Sequence, residues 1–561
     1  MTAALLAASS CDSFLDEQAQ GYIGGEALNT PENAEKLVIG AYSLLGSDHW
    51  PFVATMWPQG SVRGGDAYKG GDGPGDLGNL HAYEVFSVNR IDNSDSDVAW
   101  FQLYVRISRA NDALRKLNVL DEAALPLKTQ RQAEMRFLRA HYYFSLKILF
   151  KYIPFIDETV AVENYPTIGN DAYTNDELWT KIADDLRFAV ANLPLKQTDI
   201  GRPNRYAAQA YLAKVLLFQA YQQDEDHNVT GIDRAKLEEV VTLCATVGEA
   251  YSLHNDFGKN FLTAYENGVE SIFAIQYSQG DATPFGRLDW SHKLNYPMNP
   301  EFGCCGFHVP SQNLVNAFQT NADGLPLFED YNKVDIDYKS DDFKTKTFDP
   351  RLDHTVAIPG HPYKYSSFIF QDTWVRSLGT YGPFLSMKET VAPNDQSFQK
   401  APPFMSSSKN WDILRYDDVL LWRAEALIEL GRHDEALAFI NALRRRASDL
   451  TLLKKPDGTY ASNYHIDEYK PGINCAWTQA YAREALRWES RLELAMEEDR
   501  FFNLVRWGIA AEFINEYFKE EKTKVSYLNT AVFQKGRDEY LPIPMQQMNL
   551  SRNLYKQNRN W

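Results

Sequence analysis

Apolar positions recur at spacings of three and four over several long stretches, which predicts helices with one buried face. In residues 30–46, "TPENAEKLVIGAYSLLG", Thr30 stands as an N-cap, Pro31 as the first helical residue and Gly46 as the stop. Residues 127–154 place Ala133, Phe137, Ala140, Phe144 and Ile148 on one face, and Pro154 ends the run. Residues 174–194 open with Thr174 and Glu177 in capping-box spacing, followed by the stripe Leu178, Ile182, Leu186, Ala189 and Leu193. Residues 204–222 read as a small-residue helix suited to close packing.

Residues 413–447 predict two helices hinged at Gly431, with Ala436 and Ile440 facing back onto the first. That hairpin has the shape of a tetratricopeptide unit. Residues 127–194 and 204–247 look like looser versions of it at irregular spacing. Two long regions break the helical pattern. Residues 46–98 are rich in Gly, Asp and aromatics, and residues 276–410 in Gly, Pro, Tyr and Trp. Disordered segments are poor in aromatics, so these read as ordered surface loops carrying function. The expected fold is mostly α, a degenerate tetratricopeptide-type helical-repeat scaffold with long irregular loop insertions and a few short strands. One compact unit is expected.

Charge narrows the partners. The formal net charge of −18 argues against nucleic acid and against an anionic membrane face. No stretch is long and apolar enough to span a bilayer. The start, "MTAALLAASS" followed by Cys11, reads as part of a lipoprotein export signal with Cys11 as the lipidation site, although Ala8 stands where such signals usually place Leu. The chain would then be anchored, not embedded.

Catalytic patterns are missing from the sequence: no phosphate loop, no G-x-S-x-G elbow, no H-E-x-x-H. Glu497 and Glu498 are adjacent on a helical segment and point apart, unlike a glycosidase pair. "DNSDSD" (92–97) and "DEDHN" (224–228) alternate oxygen ligands but lack EF-hand register, so solvated turns are expected over a structural Ca²⁺. No enzyme activity, no cofactor and no metal are expected.

Several segments together resemble the SusD/RagB family of outer-membrane nutrient-binding lipoproteins of Bacteroidetes. They are "WFQLYVRISRANDAL" (100–114), "AEMRFLRAHYYFSLKILFKYIPFI" (133–156), "ESIFAIQYS" (270–278), "PSQNLVNAF" (310–318) with "FDPRLDHTV" (348–356), residues 413–447, "ALRWESRLELAMEEDRFFNLVRWG" (485–508) and "YLPIPMQQMNLSRNLYKQNRNW" (540–561). Most read physically as scaffold: Leu492, Met496 and Phe502 pack inward, while Arg491, Glu493 and Arg500 pair locally. The division expected is a partial signal over 1–10, an N-terminal helical region over 11–250, and a C-terminal region over 251–561 with helices at 413–447 and 480–508.

The resemblance implies capture of a polysaccharide or oligosaccharide at the cell surface for a SusC-like TonB-dependent β-barrel transporter, with a lipid anchor in the outer membrane. The alternative on the same fold is a peptide-binding or protein-interaction lipoprotein. Sugars need aromatic platforms and a rim of polar groups. The loop 46–98 offers Asp48, Trp50, Trp57, Asp66, Tyr68 and Asp72; residues 286–310 offer Trp290, Cys304 and Cys305; residues 372–384 offer Trp374, Arg376 and Tyr381. Trp100 reads as core, and for Trp57 and Arg376 a plug and a structural ion pair compete with ligand contact. Asp outnumbers Lys and Arg there, which favours a neutral glycan. The neighbours Cys304 and Cys305 admit a metal site, a redox switch, a ring-closed disulfide or chance. Export and too few nearby ligands leave a vicinal disulfide at the binding surface against two buried reduced thiols.

Overall fold

Thr30 accepts a hydrogen bond from the Asn33 backbone N–H at 3.3 Å and starts the helix Pro31–Tyr42. This computed structural model describes residues 29–46, 55–283, 286–401 and 404–561. Cys11, Asp48 and Trp50 lie outside the described residues, and so do the lipidation and ligand contacts expected of them.

The helical pattern holds along most of the chain, but the helix expected over 480–508 is two, Gln479–Glu493 and Arg500–Arg506, because Met496 and Glu498 take positive φ and turn the chain between them. Thr174 and Glu177 close the capping box that opens the helix Asn175–Asn192. Lys128–Phe150 is buried along most of its length, including Phe137, Tyr143 and Phe144, and Tyr143 stacks on Phe155 at 4.3 Å. Each helix packs on the next in chain order: Ser94–Val119 on Lys128–Phe150, then Asn175–Asn192, Arg205–Ala220 and Arg234–Val247. The next partner of Arg234–Val247 is Tyr416–Glu429, which packs in turn on His433–Ala447 and Gln479–Glu493. The fold is helix-rich with few short strands, as the periodicity predicts. Gly431 separates Tyr416–Glu429 from His433–Ala447 with φ 80°, a conformation that costs Gly little.

The helical array is therefore interrupted once by a long excursion. Its entry and exit are paired: the strand Ser271–Ile275 runs antiparallel to Trp411–Arg415, with Ile275 opposite Trp411. Between them the chain forms short two-stranded ribbons and single helical turns. One ribbon reaches back to the N-terminal half. Phe307–Pro310 pairs antiparallel with Ala67–Gly70, Tyr68 opposite Val309 and Gly70 opposite Phe307. A buried apolar cluster runs from Ala34 to Ile543, so it draws on both halves of the chain.

Ion pairs latch the excursion to the scaffold. Arg351, fully buried, contacts Asp349 at 2.6 Å, Glu489 at 2.5 Å and Glu493 at 2.8 Å. Arg446 joins Glu493 and Glu270, and Arg415 joins Asp417 and Glu497. The local pairing expected of Glu493 and Arg491 is corrected here: Arg491 is buried against Asp66 at 2.9 Å, more than 400 residues away. Helical spacing alone cannot reveal partners brought by tertiary contact.

Candidate functional site

The ribbon of Ala67–Gly70 and Phe307–Pro310 carries two adjoining turns. Beyond Gly70 the chain runs "GDGPGD" (71–76), and before Phe307 lies the double cysteine. The Gly71 N–H donates to the Gly306 carbonyl at 2.8 Å and ties the two turns together. Gly70 has φ 82°, and a Cβ there would sit 2.4 Å from the Gly306 carbonyl oxygen, so this crossing requires glycine. Lys69 is buried, and its ammonium donates to the Gly73 carbonyl at 2.9 Å and to that of Asp76. The glycine turn is wound around a cation. Burial lowers the Lys69 ammonium to about 8.

Cys304 and Cys305 are joined by a disulfide, and the peptide between them is cis. The Cys305 N–H donates to Leu294 and that of Gly306 to Tyr296, so the turn is sewn to residues 294–296. Phe302 is fully buried beside it and packs on Trp374 with ring centres 5.1 Å apart. Phe370 meets the same indole edge-on at 5.6 Å. The Trp374 carbonyl accepts from the Met298 N–H at 2.8 Å.

Arg376 bridges the two turns. Its guanidinium contacts Asp76 at 2.9 Å, donates to the Cys305 carbonyl at 3.4 Å and lies 3.9 Å from Asp72. The Ser377 hydroxyl donates to Asp72 at 3.3 Å. The Asp72 side chain is 70% exposed and that of Arg376 24%. Met298, Glu301 and Leu378 are exposed nearby in sequence, and Cys304 and Trp374 are half-buried. The surface thus offers the half-buried Cys304 edge of a disulfide whose Cys305 is buried, an indole held by two phenyl rings, and one acid–guanidinium pair open to water. Flat apolar groups with a charged rim suit a hydroxyl-rich ligand with apolar faces.

The structure brings together Asp72, Cys304, Cys305, Trp374 and Arg376. It separates the others. Asp66 is buried and bound to Arg491, and Tyr68 is buried with its hydroxyl on Glu521. Tyr381 is buried against Tyr68 and Tyr527, and burial raises its phenol. Trp57 is 2% exposed, its indole N–H on the Ser291 carbonyl at 3.4 Å and its ring 5.1 Å from His308. These four placements correct the expectation that they line the binding surface: Trp57, Asp66 and Tyr68 lie in a segment that doubles as core turn and strand, and Tyr381 ends the helical turn Leu378–Tyr381, packed against Tyr68. Trp290 is half-buried under the Lys293 ammonium and lines another cavity, with Trp57, Gln102 and His141. Trp100 is buried, as its helical position predicts.

Asp76, Ser377, Phe302 and Lys69 were not singled out by the sequence. Only Lys69 left a signal, as the single cation heading "GGDGPGD". The acidic runs serve the backbone: Asn93 caps Ser94–Val119, and Asp224 accepts from the Asp226 and Asn228 N–H groups. Among the described residues, Glu270, Asp417 and Glu493 stand close enough to share a metal ion, but Arg415 and Arg446 already pair with them.

A helical-repeat scaffold bearing a loop-built, aromatic surface defines a recognition protein. The family model described as the SusD family matches residues 269–561, over half of the chain. The chain belongs to the SusD family. A second model, described as starch-binding associating with outer membrane, matches residues 79–217. A SusD-like protein of Bacteroides ovatus is 25% identical over 516 residues, covering 90% of this chain and 81% of the relative. The structure of a SusD homolog from Bacteroides thetaiotaomicron superposes with TM-score 0.70 at 22% identity, covering 95% of this chain and 98% of that one. A laminarin-binding SusD-like protein superposes with TM-score 0.66 at 20% identity, covering 95% and 100%.

Proposed function

We propose that this protein binds a neutral polysaccharide or oligosaccharide at the surface of the outer membrane, without catalysis. It hands the glycan to a SusC-like TonB-dependent transporter and is held in the membrane by lipid on Cys11. The observation that carries this reading is the surface of Trp374, Arg376, Asp72 and the Cys304–Cys305 disulfide. The guanidinium at its rim, Arg376, is engaged by Asp76 and Asp72. Membership of the SusD family and the fold shared with a laminarin-binding protein support the ligand class.

Affinity electrophoresis on neutral glucans, mannans and fructans tests it. Retardation by one of them, lost in Trp374→Ala and Arg376→Ala, is the expected result. No retardation by any, with oligopeptide binding in a calorimeter, overturns the reading in favour of a peptide-binding protein.

A further inference from the structure

A second cleft lies at the end of the helix Lys128–Phe150, walled by the ribbon of Tyr221–Gln223 and Val229–Ile232 and by residues 536–559. One lobe encloses about 300 Å³ and opens past Tyr152, Tyr540 and Arg559. A smaller lobe of about 110 Å³ shares Lys151, Tyr152, Glu225, His227 and Tyr540, and reaches Asn175 and Trp179.

Lys151 lines both lobes, with Glu225, Asp224 and Glu539 acting on its charge from beyond ion-pair distance, and Lys147 is buried behind it. Lys147 is fully buried. Its ammonium donates to the Asn175 side-chain carbonyl at 2.5 Å and lies 5.0 Å from the Trp179 ring centre. Among the described residues no carboxylate pairs with Lys147 or Lys151. A buried ammonium with one acceptor is costly, because three N–H groups have left water. Burial first, and then the charge of Lys151, push the Lys147 ammonium well below its ordinary range. The Lys151 ammonium sits between Tyr152 and Tyr540, 5.3 Å and 5.8 Å from their ring centres. Lys151 also has φ 62°, where glycine would be at ease.

We propose that this cleft binds a sugar ring bearing a carboxylate, a uronic acid residue. The carboxylate takes the ammonium of Lys151, which no described carboxylate pairs with directly. Tyr152 and Tyr540 supply flat faces for ring C–H groups. Glu225, exposed at the rim, accepts from ring hydroxyls. The exposed acids Asp224, Glu225 and Asp226 also keep a polyanion from entering sideways, so the cleft selects a single terminal acid.

Titration calorimetry of the full chain with methyl glucuronide, methyl glucoside and acetate tests this. Glucuronide should bind saturably, with glucoside and acetate each at least tenfold weaker. Lys151→Gly removes the ammonium while suiting the positive φ, so the melting temperature should hold or rise while glucuronide binding falls at least tenfold. Trp374→Ala should leave glucuronide binding unchanged, which separates this cleft from the Arg376 surface. Absence of saturable glucuronide binding, glucoside or acetate binding as tight, or full binding in Lys151→Gly would each overturn it.

Discussion

Two arginines of the excursion frame the molecule. Arg351 is fully buried and meets three carboxylates, two of them on the helix Gln479–Glu493. Arg376 is 24% exposed and meets Asp76 and Asp72 at the surface. Both are Arg–Asp constellations in loops of one excursion. The interior one closes on itself and joins two parts of the chain, leaving nothing for a ligand. The exposed one keeps Asp72 in water and stands beside an indole and a disulfide. Pairing and burial, not residue type, separate latch from site.

The largest expected effect tests the latch. Arg351→Met strands Asp349, Glu489 and Glu493 in the interior and should cost about 3–5 kcal/mol of stability, read by urea denaturation. A loss under about 1 kcal/mol would dissolve the contrast. Next comes an interior group that is badly served. Burial raises the Glu498 carboxyl to about 8, from an ordinary 4.5. A raised carboxyl costs stability as pH climbs from about 4.5 to about 8, and none of that cost remains in acid. Glu498→Gln keeps an acceptor for the Met56 N–H and should be about 2 kcal/mol more stable than the parent at pH 9, with the gap gone near pH 5. Equal melting curves at both pH values would refute this.

At the surface the effects move from stability to binding. Arg376→Ala should weaken glycan binding at least tenfold, about 1.4 kcal/mol, while stability shifts by less than about 1 kcal/mol. The reverse pattern would make Arg376 a latch like Arg351. Smallest is Asp72→Asn, with stability within about 0.5 kcal/mol and binding down a few-fold by the same titration. An unchanged affinity would remove Asp72 from the surface.

The scaffold was legible because helices announce themselves locally. Thr30, Pro31 and the Thr174–Glu177 box act within one turn, and the stripe of Phe137, Ala140 and Phe144 repeats at its own period. The site was half legible. Trp374 and Cys304 stood out by type, in segments with no helical stripe. Asp66, Tyr68 and Asp72 look alike in sequence, six residues apart, yet two are core and one is open. What decides is the strand register of Ala67–Gly70 on Phe307–Pro310, a pairing over more than 200 residues with no local cue. Asp76 and Ser377 gained meaning only through Arg376.

The stem of Ser271–Ile275 and Trp411–Arg415 bears on how such a protein can change what it recognises. Whatever the chain does beyond this stem, both ends return to adjacent places on the helical array. Lengthening the excursion then carries only a logarithmic entropy penalty, about 0.6 kcal/mol for each doubling of loop length. New recognition loops can thus be inserted without re-registering the helices. The freedom has a boundary, since Arg351 and Lys388 must still reach Glu493 and Glu497 across the joint. An insertion between residues 372 and 384 leaves those two anchors in place. One that displaces Asp349 to Arg351 does not.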